Sequence, residues 1–234
     1  MSNHGKKYRE VREKIDPEKA YLLDEALELL KESSTTNFDA SCEVHFNFNL
    51  DPKQADQNLR TTVSLPAGTG KEVKVVAFVD AGDSAAAKAA GAIEAGTEEL
   101  IAKIEKGWLD FDVAVAVPDQ MKKLGKIAKT LGQKRLMPNP KAGTITPDFE
   151  NAIKDLKKGK IEIRLDKDAN SHNIFGKISF DTEKLKENLL AIAHAVLENK
   201  PTGIKGIYIN NVSVSSSMGP GIKVDVADLT AAAK

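Results

Sequence analysis

The chain has 234 residues, which is enough for one large domain or two ordinary ones, and 41% of them are apolar. Its 34 basic and 34 acidic residues cancel, which taken alone argues against a nucleic-acid partner, and the single cysteine excludes an internal disulfide and indicates a reducing, intracellular compartment. Because there is no apolar signal segment and no apolar run near the roughly 18 residues that span a bilayer, we expect a cytoplasmic protein.

The charges are segregated along the chain. The stretch from residue 121 to 141 has no acid, and its basic residues are Lys122, Lys123, Lys126, Lys129, Lys134, Arg135 and Lys141. A second acid-free stretch, residues 199–224, contains Lys200, Lys205 and Lys223, whereas residues 80–119 carry nine acids against three lysines. The balanced total therefore conceals local regions of one sign.

The first predicted elements are a helix and two strands. In YLLDEALELLKES (21–33), Asp24 is the expected N-cap, and one face carries Leu23, Ala26, Leu27 and Leu30. The stretch CEVHFNFNL (42–50) alternates, so Cys42 and every second residue after it should face a core while Glu43, His45 and Asn47 face outward. LRTTVSL (59–65) is a second strand, which ends at Pro66.

After PAGTGK (66–71) the pattern changes to buried strands that alternate with helices. The strands are VKVVAFVDAG (73–82) and DVAVAVP (112–118), and the helices are DSAAAKAAG (83–91) and TEELIAKIEKG (97–107). This alternation predicts βαβ units and a parallel sheet. A basic helix over 118–132 then leads into the stiff, proline-rich loop QKRLMPNPKAGT (133–144), and a further helix begins at Pro147.

The alternating type returns near Lys160. Strands are predicted at KIEIRLD (160–166), NIFGKISFD (173–181), KGIYINNVSVSSS (205–217) and GIKVDVADL (221–229). The third of these loses its apolar period once, at Asn210-Asn211. Between them, residues 181–200 form the strongest helix of the chain, with Asp181 as cap or a capping box from Thr182.

The two ends of the chain therefore share one pattern, strands of alternating apolar and polar residues with helices, whereas the middle has buried strands that alternate with helices. We expect an α/β (α+β) protein with two domains. Residues 1–66 and 159–234 form a discontinuous two-layer domain of antiparallel sheet and helices, and residues 67–158 form an inserted, parallel, Rossmann-like α/β domain. Both crossings fall at short Gly-rich joints, which predicts a hinge.

Sites for metals and cofactors are not indicated. AGTGK lacks the spacing, the Ser or Thr and the following helix of a phosphate-binding loop. The histidines, His4, His45, His172 and His194, show no metal-ligand spacing, and His194 lies in an apolar run that places it beside the core. We predict no metal, no cofactor and no catalytic residue.

The late stretch SSSMGPGIK is more informative. Ser215, Ser216 and Ser217 supply hydroxyl groups, Gly219 allows close backbone approach, and Met218 can lie flat against a base or ribose. The earlier stretch RLDKDANSHNIFGK adds Arg164, Lys167, His172 and Lys177. Short polar groups with cations suit RNA, where shape and 2′-hydroxyls are recognised. The alternative is an ordinary serine-rich hairpin turn.

Several motifs, taken in order, resemble the ribosomal protein L1 family of bacterial type. They are ADQNLRTTVSLPAGTGK, GWLDFDVAVAVPD, KRLMPNPKAGT, KLKENL and VSSSMGPGIK, and the resemblance covers nearly the whole chain. It implies a non-enzymatic constituent of the large subunit's mobile stalk, made of two hinged domains. It also implies binding to the stalk region of large-subunit rRNA, help in releasing exit-site tRNA, and repression of translation from its own mRNA leader. We expect a monomer off the ribosome.

The resemblance implies particular binding residues. In the discontinuous domain they are Phe38, Glu43, Arg164, Asp166, Lys167, His172, Lys177, Ser217, Met218 and Gly219. A secondary RNA or tRNA contact is expected from Lys122, Lys123, Lys126, Lys134, Arg135 and Lys141 of the inserted domain. Ser217 stands where the family commonly has Thr, and Arg135 stands where its G-P-R-G-L-M-P-N-P-K motif has the second Gly.

Two other classes of function stay open from the sequence. One is an α/β enzyme that uses the carboxyl edge of the parallel sheet, for example on a phosphorylated metabolite. It would need a polar constellation that the residues do not indicate. The other is a protein–protein scaffold, which would need a large exposed apolar patch.

Overall fold

The computed structural model describes residues 5–201, 204 and 206–233, with Ala55 described through its backbone alone. His4 and Lys205 lie outside the described residues. The chain divides into two compact units, a first unit of Met1–Gly70 with Ile161–Lys234 and a second unit of Lys71–Lys160. That these units are domains that move about a hinge, with the expected boundaries at 67 and 158, stays a prediction.

Helices and strands are numbered here in chain order. The strands are β1 (Ser41–Phe48), β2 (Arg60–Ser64), β3 (Val75–Phe78), β4 (Glu94–Ala95), β5 (Val113–Ala116), β6 (Lys160–Arg164), β7 (Asn170–Lys177), β8 (Ile209–Ser216) and β9 (Ile222–Val224). The α-helices are α1 (Lys6–Arg12), α2 (Leu23–Glu32), α3 (Ser84–Ala90), α4 (Glu98–Glu105), α5 (Ala128–Gln133), α6 (Phe149–Lys158), α7 (Thr182–Glu198) and α8 (Val226–Ala232).

The first unit is built on an antiparallel sheet with the order β7-β1-β8-β9, called the main sheet below. Helices α2 and α7 pack against it, and the inward residues of β1 fill the layer between them. Four large side chains are fully buried there, those of Phe46, Phe175, Leu27 and Leu30. Burial of each one stabilises the fold by roughly 1.5–3 kcal/mol. The predicted two-layer arrangement of sheet and helix is confirmed. Strands β2 and β6 pair separately.

The register of the main sheet explains the broken period in β8. Asn47 lies opposite Asn211, but the next residue of β1, Phe48, lies opposite Ile209. Asn210 is therefore an extra residue, and the break at Asn210-Asn211 is a β-bulge. The bulge keeps the apolar residues on both sides of it facing the core.

The second unit contains a parallel sheet with the order β4-β3-β5, as the alternation of buried strands and helices predicts. All of Val75–Phe78 is buried, because helices cover parallel strands on both faces. The short strand β4 was not predicted, since two residues carry no periodicity. A crevice of about 480 Å³ lies where β3 and β4 end, lined in part by Asp80, Thr97 and Lys123.

Two predicted helix starts and one predicted strand differ from the structure. Helix α2 has Leu22, not Asp24, as its N-cap, and the N–H of Leu23 donates instead to Asp228 at 2.8 Å. Helix α6 has Asp148 as N-cap, so Pro147 lies outside it. Asp181 does cap α7, but its side chain makes no capping hydrogen bond. The last predicted strand ends at Val224 and continues as helix α8.

The basic stretch 118–132 is not one α-helix. Pro118–Lys126 forms a 3₁₀ helix, and α5 follows it. Gly125 is a poor helix former in the middle of this stretch, which favours the division. A second correction concerns His194, which is exposed on α7 and lies 3.6 Å from Glu198 rather than beside the core.

Arg135 occupies a position that favours glycine. Its φ is 59°, and the hydrogen bonds Arg135 N–H to Gly132 O (3.1 Å) and Leu136 N–H to Leu131 O (2.9 Å) end α5 as a Schellman motif. We expect Arg135→Gly to stabilise the protein by about 0.5–1 kcal/mol, measured by urea unfolding, because it relieves the left-handed strain of a residue with a Cβ. Lys134→Gly, at an ordinary φ, is the control and should not stabilise. An unchanged or lower stability of Arg135→Gly would contradict the interpretation.

Candidate nucleic-acid interface

The outward side of the main sheet is polar. Along β1 the buried side chains alternate with Ser41, Glu43, His45 and Asn47, which point away from the helices. Because opposite residues on paired strands point to the same side, rows of outward residues cross the sheet. These rows are Asn170–Asn47–Asn211, His172–His45–Ser213–Lys223 and Ile174–Glu43–Ser215. We call this surface the polar face.

Hydrogen bonds between strands fix the side chains of the polar face. Asn47 donates to Asn170 Oδ1 at 2.7 Å and accepts from Asn210 Nδ2 at 3.1 Å. The Nδ1 atoms of His45 and His172 are 2.9 Å apart, and His45 Nε2 lies 3.0 Å from Ser215 Oγ. The surface is therefore held in one arrangement before any ligand binds.

One end of the polar face combines exposed apolar side chains with a cation. Met218, in the turn after β8, is 78% exposed, and Phe38, before β1, is 61% exposed. The turn is tied to β1, since Ser217 N–H donates to Ser41 O at 2.9 Å and Ser41 N–H donates to Ser217 Oγ at 3.2 Å. Lys177 donates to Ser41 Oγ at 3.0 Å. Exposed apolar groups beside hydroxyls and a cation offer stacking, sugar and phosphate contacts together.

The turn between β6 and β7 brings Asp166 to the polar face. Its Oδ1 accepts from the N–H groups of Asp168 (2.9 Å) and Asn170 (2.7 Å), and its Oδ2 lies 3.5 Å from His172 Nε2. Slight burial raises the pKa of this carboxyl, but the two backbone hydrogen bonds and His172 outweigh it and leave the pKa below its usual value. Asp166 is thus a fixed negative charge. Arg164 and Lys167 are exposed in the same turn region.

Ser216 does not belong to the polar face, contrary to expectation. It is 2% exposed because alternation along β8 turns Ser215 outward and Ser216 inward. Its Oγ is buried without a hydrogen-bond partner among the described residues. A Cβ at Gly219 would lie 2.2 Å from that oxygen, so the turn accommodates only glycine at this position as it stands.

The close approach of Gly219 to Ser216 Oγ leads to a specific prediction about the turn. Gly219→Ala should destabilise the protein by about 1–2 kcal/mol, because the new methyl overlaps the Ser216 hydroxyl. Adding Ser216→Ala removes the overlapping atom and should recover most of the loss. Urea unfolding of the two single variants and the double variant measures the coupling. Equal losses in Gly219→Ala and in the double variant would show that Ser216 Oγ is not the obstacle.

Sequence reasoning missed the contact between His45 and His172 on the polar face. It placed the side chain outward, correctly, but the contact with His172 depends on the register of two strands 127 positions apart. Burial first, and then His172, lower the pKa of His45, while Glu43 opposes this, so the ring is neutral near pH 7. Cys42, on the opposite side of β1, is fully buried as predicted, and burial raises the pKa of its thiol to about 12.

The basic residues that are expected to make the secondary contact are exposed. Lys122, Lys123 and Lys126 lie in the 3₁₀ segment, Lys134 and Arg135 follow α5, and Lys141 lies in a short 3₁₀ turn over Pro140–Ala142. The side chain of Asn139 accepts from Lys141 N–H and shapes this turn. Their exposure leaves these cations available to a polyanion.

No group of three or more His, Cys, Asp or Glu in the described part of the chain could hold a metal ion. Across those same residues, every helix is too short or too polar to cross a membrane.

Comparison with known proteins gives a consistent result. The model of the ribosomal protein L1p/L10e family matches residues 30–220. A protein of Lactobacillus delbrueckii named large ribosomal subunit protein uL1 is 48% identical over 231 residues, covering 99% of this chain and 100% of its own. Proteins of the same name from Thermosipho africanus and Mycobacteroides abscessus are each 51% identical, covering 98% and 96% of this chain and 100% and 96% of their own.

Proposed function

Since the chain belongs to the ribosomal protein L1 family, a family of structural, non-enzymatic constituents of the large ribosomal subunit, we propose that it binds the stalk region of large-subunit rRNA through the polar face. The family assignment confirms the resemblance seen in the sequence. It also removes the α/β enzyme as an alternative, so the crevice beside β3 and β4 is not an active site.

The observation that carries the proposal is the end of the polar face where Phe38 and Met218 are exposed beside Ser217 and Lys177. Covering an exposed apolar side chain with a partner removes apolar surface from water, which favours binding. Unstacked RNA bases cover such groups, while hydroxyls and amides suit ribose edges. Glu43 and Asp166 add acceptors that a 2′-hydroxyl or an exocyclic amine can use.

Phosphates are neutralised in this proposal by Arg164, Lys167 and Lys177, and by His172 only once it is protonated. Because the whole chain has no net charge, shape and hydrogen bonding carry a larger share of the affinity than in a strongly basic protein. Ser215, Ser217, Met218 and Gly219 fix the position of the RNA, and Ser216 supports the turn from inside.

The finer roles are proposals of the same kind. The exposed cations of the second unit make a secondary contact with flanking rRNA or departing tRNA, which assists tRNA release from the exit site. Binding of an rRNA-like leader in its own mRNA represses its translation. Off the ribosome, the protein is a monomer. The segments involved are Lys122–Lys126, Lys134–Arg135 and Lys141 for the secondary contact, and the polar face for both RNAs.

A titration with an isolated stalk rRNA fragment tests the proposal. We expect saturable binding at low salt, with the logarithm of the association constant falling by about 0.7–0.9 per neutralised phosphate for each tenfold rise in salt. A scrambled hairpin of equal length is the control and should bind only weakly. If the stalk fragment shows no saturable binding at low salt, the proposal is wrong.

A further inference from the structure

Four side chains form a row across the polar face, in which two contacts are hydrogen bonds and the third, between His172 and Asp166, is a longer ion-pair contact. Ser215 Oγ lies 3.0 Å from His45 Nε2, His45 Nδ1 lies 2.9 Å from His172 Nδ1, and His172 Nε2 lies 3.5 Å from Asp166 Oδ2. The two imidazoles meet at 62° with their centroids 5.0 Å apart. Each ring thus uses both of its nitrogens within the row, so the proton on one ring constrains the proton on the next.

The charge on Asp166 gives the row a direction. A carboxylate only accepts hydrogen bonds, so His172 must carry its proton on Nε2 and leave Nδ1 as an acceptor. His45 then donates from Nδ1, and its Nε2 becomes an acceptor. Ser215 must therefore donate its hydroxyl proton inward to His45. In this neutral row, the oxygen of Ser215 faces solvent with lone pairs only.

We propose that the row selects which RNA group binds at Ser215. In the neutral row, Ser215 accepts from a donor, such as a ribose 2′-hydroxyl. When the histidine pair takes up one proton, His172 donates from both nitrogens, His45 turns to donating from Nε2, and the Ser215 hydroxyl is freed to donate to a phosphate oxygen. This inference rests on the proposed RNA binding and concerns its regulation by pH.

The charged groups around the pair favour a single added proton. Glu43 faces the pair from β1, Asp166 from the turn before β7, and Lys223 from β9, while Ser213 and Ser215 on β8 are uncharged. Asp166 holds the added proton on the His172 side. Two imidazolium rings with nitrogens 2.9 Å apart would repel, and both would be donors with no acceptor between them.

Histidine ¹⁵N NMR of the free protein tests the row without any RNA. At about pH 8 we expect His45 as the less common Nδ1–H tautomer and His172 as the Nε2–H tautomer, and at about pH 5.5 we expect His45 to change to Nε2–H. His194, exposed on α7, serves as the reference histidine and should show no such reversal of tautomer. Finding His45 as the Nε2–H tautomer at about pH 8 would overturn the proposal.

The effect of the row on RNA binding is tested by measuring the affinity for the stalk fragment at about pH 8 and at about pH 5.5, with the salt concentration held constant. The wild-type protein should bind at least about tenfold more tightly at the lower pH, the effect of one hydrogen bond to a charged group. Ser215→Ala keeps both histidines and their charge but has no hydroxyl, so its gain should be less than about twofold. His194→Gln should behave like the wild type.

If RNA affinity rose equally at the lower pH in the wild type and in Ser215→Ala, the histidine pair would act only through its added positive charge. That result would overturn the proposed selection at Ser215. Absence of stalk binding at about pH 8 would contradict the proposed function instead, and the NMR measurement on the free protein would still decide the direction of the row.

Discussion

Asn188→Leu should lower the free energy of unfolding by about 3–4 kcal/mol, the largest stability effect that we expect from a single substitution. Asn188 is fully buried on α7, and its side chain accepts from Ala67 N–H at 3.0 Å and donates to Gly68 O and Phe175 O, each at 2.8 Å. Leucine fills a similar volume but removes the side-chain partner of three backbone groups. The loss is therefore one of hydrogen bonding rather than of packing.

Urea unfolding measures this loss, and the same helix provides the control. Asn199, at the end of α7, donates to Ala195 O at 2.8 Å from a more exposed position where water can replace it. Asn199→Leu should cost no more than about 0.5 kcal/mol. Similar losses in the two variants would show that the position of Asn188, between the chain at Ala67–Gly68 and strand β7, has no special importance.

Met218→Asp should weaken binding of the stalk fragment by roughly 30- to 150-fold, or about 2–3 kcal/mol, the largest effect expected on RNA affinity. The substitution removes an exposed apolar surface that would stack on a base, and it places a negative charge where phosphates approach. The left-handed conformation at Met218, with φ of 66°, is one that Asp tolerates better than most residues. The turn itself should therefore persist.

Two further variants serve as controls for the effect of Met218→Asp. Leu22→Asp makes the same kind of change at an apolar residue that is 52% exposed at the start of α2, in the helical layer behind the main sheet. It should leave RNA affinity unchanged. Lys134→Ala, in the second unit, should cost only about two- to fivefold, as one phosphate contact does. If Lys134→Ala weakened binding as much as Met218→Asp, the polar face would not be the primary site.

Local patterns in the sequence carried most of the fold. The alternation of CEVHFNFNL gave both faces of β1, and the single break at Asn210-Asn211 corresponds to a real bulge. The N-cap of α2 was not predictable, because the group that satisfies Leu23 N–H is Asp228, 205 positions away. A cap of this kind leaves no local signal.

The candidate site was less accessible to sequence reasoning than the fold. In a run of three serines, the sequence does not show which side chains face the core and which face solvent. Ser216 was therefore predicted to lie on the surface, although it is buried. The pairing of His45 with His172 follows from strand register, which alternation alone does not give. Phe38 and Asp166 were predicted only from the motif resemblance. They lie in the irregular segments before β1 and β7, which have no periodicity to interpret.

Hydroxyl-radical footprinting of the complex with the stalk fragment tests the central claim most directly, because it reports the exposure of named side chains. Our account predicts that RNA protects Phe38, Met218 and His172 from oxidation, while Leu22 and His194 react as in the free protein. Unprotected Phe38 and Met218 in a saturated complex would contradict binding through the polar face of the main sheet.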